Sequence, residues 1–100
     1  MVVEATVSLL PTENGGRTSP IIGKLRPNHN FGDADNRTMF IGQIELTEGE
    51  RLRPGEEGEV VIRFLDAGDL RQRLSVGTRW RLQEGNKLIG FARANRIINP

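Results

Sequence analysis

The amino-acid sequence predicts an all-β barrel of about six strands, and three observations carry that reading. No window keeps apolar residues at i, i+3, i+4 and i+7 for three turns, so amphipathic helices have no support. Several runs instead alternate apolar with polar residues and are rich in Val, Ile and Thr, the pattern of half-buried strands. Twelve glycines and five prolines interrupt these runs at the spacing of β-sheet turns.

The elements follow in chain order. A first strand is expected over Val2 to Leu10 and ends at Pro11, which has no N–H to give to a ladder. A short extended piece covers Ile21 to Leu25, bracketed by Pro20 and Pro27. Thr38 to Leu46 (TMFIGQIEL) and Glu59 to Leu65 (EVVIRFL) read as the next long strands, with a turn at Pro54-Gly55 between them. Arg79 to Gln83 (RWRLQ) alternates strictly, which points Trp80 and Leu82 inward and Arg79, Arg81 and Gln83 outward. Glu84-Gly85-Asn86 suits a tight hairpin, and Lys87 to Ile98 forms the last strand, with Gly90 expected at a bend or bulge. Length favours one domain over residues 1 to 100, with a single modest core.

Composition excludes several kinds of chemistry. The chain has no cysteine, which removes disulfides, thiolate catalysis and sulfur-ligated zinc, and its single histidine, His29, removes any multi-histidine metal site. No apolar run approaches a membrane span and no signal peptide opens the chain, so a cytoplasmic protein without a membrane partner is expected. The net charge of +1 conceals an asymmetry: residues 33 to 70 carry net −6 and residues 71 to 100 carry net +6. Either these segments neutralise one another, or Arg71, Arg73, Arg79, Arg81, Lys87, Arg93 and Arg96 leave a positive face for an anionic partner.

Tested against motifs of catalysis and binding, the chain gives structural readings. Gly85 and Gly90 match the glycine spacing of a phosphate loop, but Phe91 and Ala92 stand where Lys and Ser/Thr are required, so no nucleotide binding by this chain alone is expected. Asp33-Ala34-Asp35-Asn36 has calcium-loop acids, yet Thr38 and Ile44 occupy the positions of the turn glycine and the bidentate glutamate, and a solvated loop is expected. Glu56, Glu57 and Glu59 lie in a glycine-flanked turn with no apolar pocket to separate their pKa values. His29 reads as a loop histidine bonded to nearby backbone, and Trp80 as a core residue rather than a stacking platform.

The punctuation nevertheless forms an ordered set. Gly15-Gly16-Arg17 is followed by Pro20-Ile21-Ile22, Gly-Lys-Leu-Arg-Pro at 23 to 27, Phe31, Ile-Glu-Leu at 44 to 46 and Pro-Gly-Glu at 54 to 56. Gly77-Thr78-Arg79-Trp80, Gln-Glu-Gly at 83 to 85 and Ile89-Gly90 complete it. This collinear series, spanning roughly Val3 to Ile98, resembles the third, C-terminal domain of translation elongation factor Tu. The resemblance implies a six-stranded antiparallel β-barrel without an enzyme activity or cofactor of its own, since the family's GTPase lies in another domain. Here the chain opens on its first strand, as an independent small protein or as a piece of a longer one.

In that family the domain touches the T-stem of aminoacyl-tRNA and a nucleotide-exchange protein. The tRNA-contacting positions correspond to Thr18, Asn28, Glu84 and Gly85, with Arg17 and Arg26 beside them. The sequence departs from the family pattern: Thr18 replaces the usual histidine, Asn28 the glutamine, Gln83-Glu84-Gly85-Asn86 the Arg-Glu-Gly-Gly, and Ala92 a glycine. The segment between Phe31 and Gly42 is also longer and carries acids. Two functions are therefore expected to compete. One is a non-enzymatic module that docks a protein partner; the other is a tRNA- or RNA-binding module that gathers Arg17, Arg26, Arg79 and Arg81 on one face.

Overall fold

A computed structural model describes residues 1–100. Nine strands form: β1 (Val2–Leu9), β2 (Ile21–Ile22), β3 (Lys24–Leu25), β4 (Asn28–Asn30), β5 (Phe40–Glu45), β6 (Arg51–Leu52), β7 (Glu57–Phe64), β8 (Arg79–Glu84) and β9 (Lys87–Asn99). One helical turn, α1 (Leu70–Arg73), joins β7 to β8. Six strands close an antiparallel barrel in the circular order β1, β7, β5, β4, β8, β9 and back to β1. Closure pairs each of these six strands on both sides, which protects the barrel against edge-to-edge pairing.

Alternation builds the core. Val3, Ala5, Val7 and Leu9 of β1 point inward with Val60, Ile62 and Phe64 of β7 and with Ile89, Ala92 and Ala94 of β9. Ile44, Trp80 and Leu82 complete the lining, all buried in one apolar cluster. Leu70, the first residue of α1, and Leu74, just after its end, are buried in the connection between β7 and β8. The helix is thus too short to show in an amphipathic scan, yet this connection supplies two residues of the apolar cluster.

The expected strands over Val2 to Leu10, Thr38 to Leu46, Glu59 to Leu65, Arg79 to Gln83 and Lys87 to Ile98 are present, with ends shifted by one or two residues. Three expectations need correction. Ile21 to Leu25 is not a barrel strand but two short pieces broken at Gly23, β2 pairing with β6 and β3 with β5. The sixth barrel strand is instead β4, in the RPNHNF stretch read as a loop, because His29 and its neighbours pair with β5 on one side and β8 on the other. Third, Gln83 is buried rather than outward. The β8–β9 register slips between Leu82 and Gln83, beside Gly90, and Asn30 covers the Gln83 amide. A Cβ on Gly90 would overlap the Ser8 carbonyl, so the last strand bends where only glycine fits.

Around His29 the barrel holds an internal polar strut. Trp80 Nε1–H donates to His29 Nδ1 at 3.0 Å, and His29 Nε2–H donates to the Gly42 carbonyl at 2.9 Å. Because Nδ1 accepts, the proton of the neutral ring sits on Nε2. Phe64 meets the imidazole edge-on, with centroids 4.8 Å apart, and Phe31 stacks on Trp80 at 4.8 Å. Burial pushes the His29 pKa down to about 4, against a smaller opposing effect of its bond to the Gly42 carbonyl. His29 is thus bonded to backbone, as expected, but as a core residue rather than a loop one.

Candidate docking concavity at the β8–β9 hairpin

Glu84 and Lys87 are paired across a two-residue turn, Gly85-Asn86, which begins with Gly85 at φ +61°. A glycine in the first position of such a turn lets the hairpin keep the twist of its strands. The turn reaches beyond the barrel next to the connection between β4 and β5. That connection is fixed from beneath by Asn30, whose side chain is fully buried. Asn30 Nδ2 donates to Gln83 Oε1 at 2.7 Å and to the Asp33 carbonyl at 2.8 Å. Its Oδ1 accepts from the Gly32 N–H at 2.8 Å and from Asn36 Nδ2 at 2.7 Å. All four bonding positions of one amide are used, so the acidic segment is held in place by a residue from the sheet.

Between this connection and the hairpin lies an open concavity of about 800 Å3. Its lining includes Asn28, Asn36, Asn86, Met39, Gly85, Asp35 and Arg37. The side chains offer amide donors and acceptors, two apolar contacts from Ala34 and Met39, one carboxylate and one guanidinium. Formal charge therefore cancels within it.

Two sequence-selected residues, Asn28 and Gly85, line this concavity, and Glu84 precedes Gly85 in the hairpin. Asn28 is set opposite Gln83 by the β4–β8 register. Arg17 Nη1 donates to Glu84 Oε2 at 2.6 Å, which brings the exposed Thr18 to the same end of the barrel. Arg17 also donates to the Ser19 carbonyl at 3.2 Å and to Ser19 Oγ at 3.3 Å, so its guanidinium is held within its own chain. Arg26 is elsewhere: it donates to Oε1 of Gln43, a β5 residue, at 3.0 Å. Arg79 and Arg81 are on β8, separated from β5 by β4. The four arginines do not share one face.

The charge asymmetry resolves only in part. Arg71 pairs with Asp66 at 2.6 Å and Arg73 with Asp69 at 2.9 Å, joining the acidic segment to the basic one. Arg96 pairs with Glu4 at 3.0 Å. Arg79, Arg81, Lys87 and Arg93 have no carboxylate partner, and no ion pair involves them. On the opposite flank of β1 a groove collects Glu4, Glu45, Glu59 and Arg63. Hydrogen bonds from Gln43 and then from Arg63 hold the Glu45 carboxyl below its ordinary pKa. Asp33 and Asp35 form an Asx turn, Asp35 N–H to Asp33 Oδ1 at 3.0 Å, on an exposed loop, and Glu56 Oε1 accepts the Arg53 N–H at 2.7 Å in its turn.

Sequence reasoning did not select Asn30, Arg37, Asn86 or Phe91. Asn30 falls in a strand whose conformation depends on pairing partners distant in the chain, and Arg37 in a loop without regular structure. Phe91 had a local signal: from Phe91 to Ala94 the strand alternates large and small residues, with Ala92 and Ala94 buried and Phe91 and Arg93 exposed.

The arrangement is that of a closed six-stranded antiparallel barrel with a polar, charge-balanced concavity at one end. No protein-family model matches the chain. No helix is long and apolar enough to cross a membrane.

Proposed function

We propose that this chain is a non-enzymatic interaction module, and that the concavity beside the Gly85-Asn86 turn docks a protein partner. The carrying observation is the lining itself. Two asparagine amides, Asn28 and Asn86, an exposed glycine backbone and a half-buried methionine surround an open concavity, while the third amide, Asn36, is bonded within its own loop. Amide side chains match the alternating N–H and C=O of an extended polypeptide. A lone Arg37 balanced by Asp35 gives no advantage to a polyanion. The buried Asn30 network keeps the walls in one geometry, which limits the ordering cost of binding. The collinear motifs that resemble the elongation factor Tu barrel support a docking role of that kind. Thr18, Asn28, Glu84 and Gly85 then form the partner-facing rim.

A photo-crosslinker at Asn86 tests this. It should capture a protein partner saturably, and the purified partner should bind the intact chain about tenfold more tightly than the Asn28→Ala or Arg37→Glu variant, a difference of ~1.4 kcal/mol. A partner indifferent to both substitutions, or saturable capture of RNA alone, would overturn the reading.

A further inference from the structure

A second surface, on the outer face of β8 and β9, has different chemistry. The register sets Arg79 directly opposite Arg93, and Arg81 directly opposite Phe91. Like charges facing each other across a strand pair destabilise a sheet. No ion pair relieves Arg79 and Arg93. Arg17, Arg63, Arg71, Arg73 and Arg96 each meet a carboxylate, whereas Arg79, Arg81 and Arg93 meet none. The partners of Arg93 and Arg81 are neutral oxygens: Thr6 Oγ1 at 3.4 Å and Asn95 Oδ1 at 3.3 Å for Arg93, and Gln83 Oε1 at 3.4 Å for Arg81. These bonds aim two guanidiniums without neutralising them. Among them Phe91 leaves 42% of its surface exposed.

We propose that the Arg79–Arg81–Phe91–Arg93 face binds single-stranded nucleic acid, with a base stacked on Phe91 and successive phosphates on the arginines. Residues two apart along a strand are about 6.6 Å apart, close to the separation of successive phosphates in an extended single strand. An aromatic ring among guanidiniums offers both things a sequence-tolerant single-strand site requires, a stacking platform and backbone charge. The cleft beside Phe91 also contains Ser8, Thr6 and, at its far side, Glu57. That carboxylate repels an acidic polypeptide, but it can accept a hydrogen bond from a base amino group. The face is an outer sheet surface with no projecting helix to enter a duplex groove, and stacking on Phe91 requires an unpaired base. This site is separate from the docking concavity, so the two readings stand or fall independently.

The test uses the full chain and a fluorescein-labelled, mixed-sequence RNA of ~10 nucleotides, titrated by anisotropy at increasing salt. Binding is expected to weaken roughly 5- to 100-fold in Phe91→Ala. Each of Arg79→Gln, Arg81→Gln and Arg93→Gln should shrink the slope of log K against log salt by ~0.7. Arg71→Gln, which changes an ion-paired arginine, should leave affinity unchanged. These side chains are on the surface, and circular dichroism of each variant is the check that it folds. Absence of RNA binding at low salt overturns the proposal, as does binding indifferent to Phe91→Ala. Equal affinity for poly-glutamate at the same residues, or for an RNA duplex, also overturns it.

Discussion

Lowering the pH from 8 to 5 should destabilise this protein through one residue. His29 is buried, neutral and bonded at both ring nitrogens, with its pKa pushed down from 6.5 to about 4 by burial. Protonation at Nδ1 would set an N–H against the Trp80 N–H that now donates to it across 3.0 Å. The unfolded chain takes up that proton near pH 6.5 and the folded chain resists it until about pH 4. The stabilisation is therefore complete above pH 6.5 and is lost as the pH falls through the window down to about 4. Integrating the linkage from pH 8 to 5 gives a loss of about 2 kcal/mol, a substantial share of the 5–15 kcal/mol typical of a domain. Glu45, whose lowered pKa makes its contribution fade only below its ordinary value, acts outside this range. Urea denaturation at several pH values measures the loss. Because His29 is the only histidine, its ring proton resonance can be followed by NMR without ambiguity. A resonance that titrates near pH 6.5, or stability that stays level from pH 8 to 5, would refute the reasoning.

Three further perturbations separate the struts of the barrel. Gly42→Ala places a Cβ 2.8 Å from His29 Nε2 and 2.9 Å from Phe64 Cδ1, and thermal melting should show a loss of about 1–3 kcal/mol from overpacking. Asn30→Ala strips the amide from Gln83, Asn36 and two backbone groups, and should cost roughly 2–3 kcal/mol. Faster hydrogen exchange confined to residues 32–38 and the hairpin would mark that loss as local. Arg17→Ala removes the Glu84 pair, in which Arg17 keeps only 14% of its side chain exposed and Glu84 41%. A double-mutant cycle with Glu84→Ala should give a coupling of about 1 kcal/mol, and a zero coupling would mean that the pair holds nothing together.

How legible this was follows from particular residues. The alternation of Val3, Ala5 and Val7 with Glu4 and Thr6 is intrinsic to the chain, since side chains on a strand change face at every step. That rule located the long strands and the inward Trp80 before any pairing was known. Of the residues at the concavity, Asn28 and Gly85 were reached through the resemblance, as was the neighbouring Glu84, and the Gly85 turn also through local turn chemistry. The amides that shape the walls were not. Three residues, Asn28–Asn30, are too few to show a period, and their extended form exists because β5 and β8 supply hydrogen bonds on both sides. Gln83 obeyed alternation in the sequence, but a one-residue slip against β9 and the Asn30 amide placed it inside.

Charge divides along the same line. By itself the sequence determined an all-β chain, a barrel-like spacing of strands, and a basic last third beside an acidic middle. Only the tertiary structure decided which arginines are neutralised. Ion pairing depends on distances of a few ångströms between residues such as Arg17 and Glu84, sixty-seven positions apart, or Arg96 and Glu4, ninety-two apart. The register between β8 and β9 likewise set Arg79 against Arg93 and left Phe91 exposed beside them. A strand's pattern fixes which way its side chains point, whereas their neighbours are chosen by pairing across the barrel.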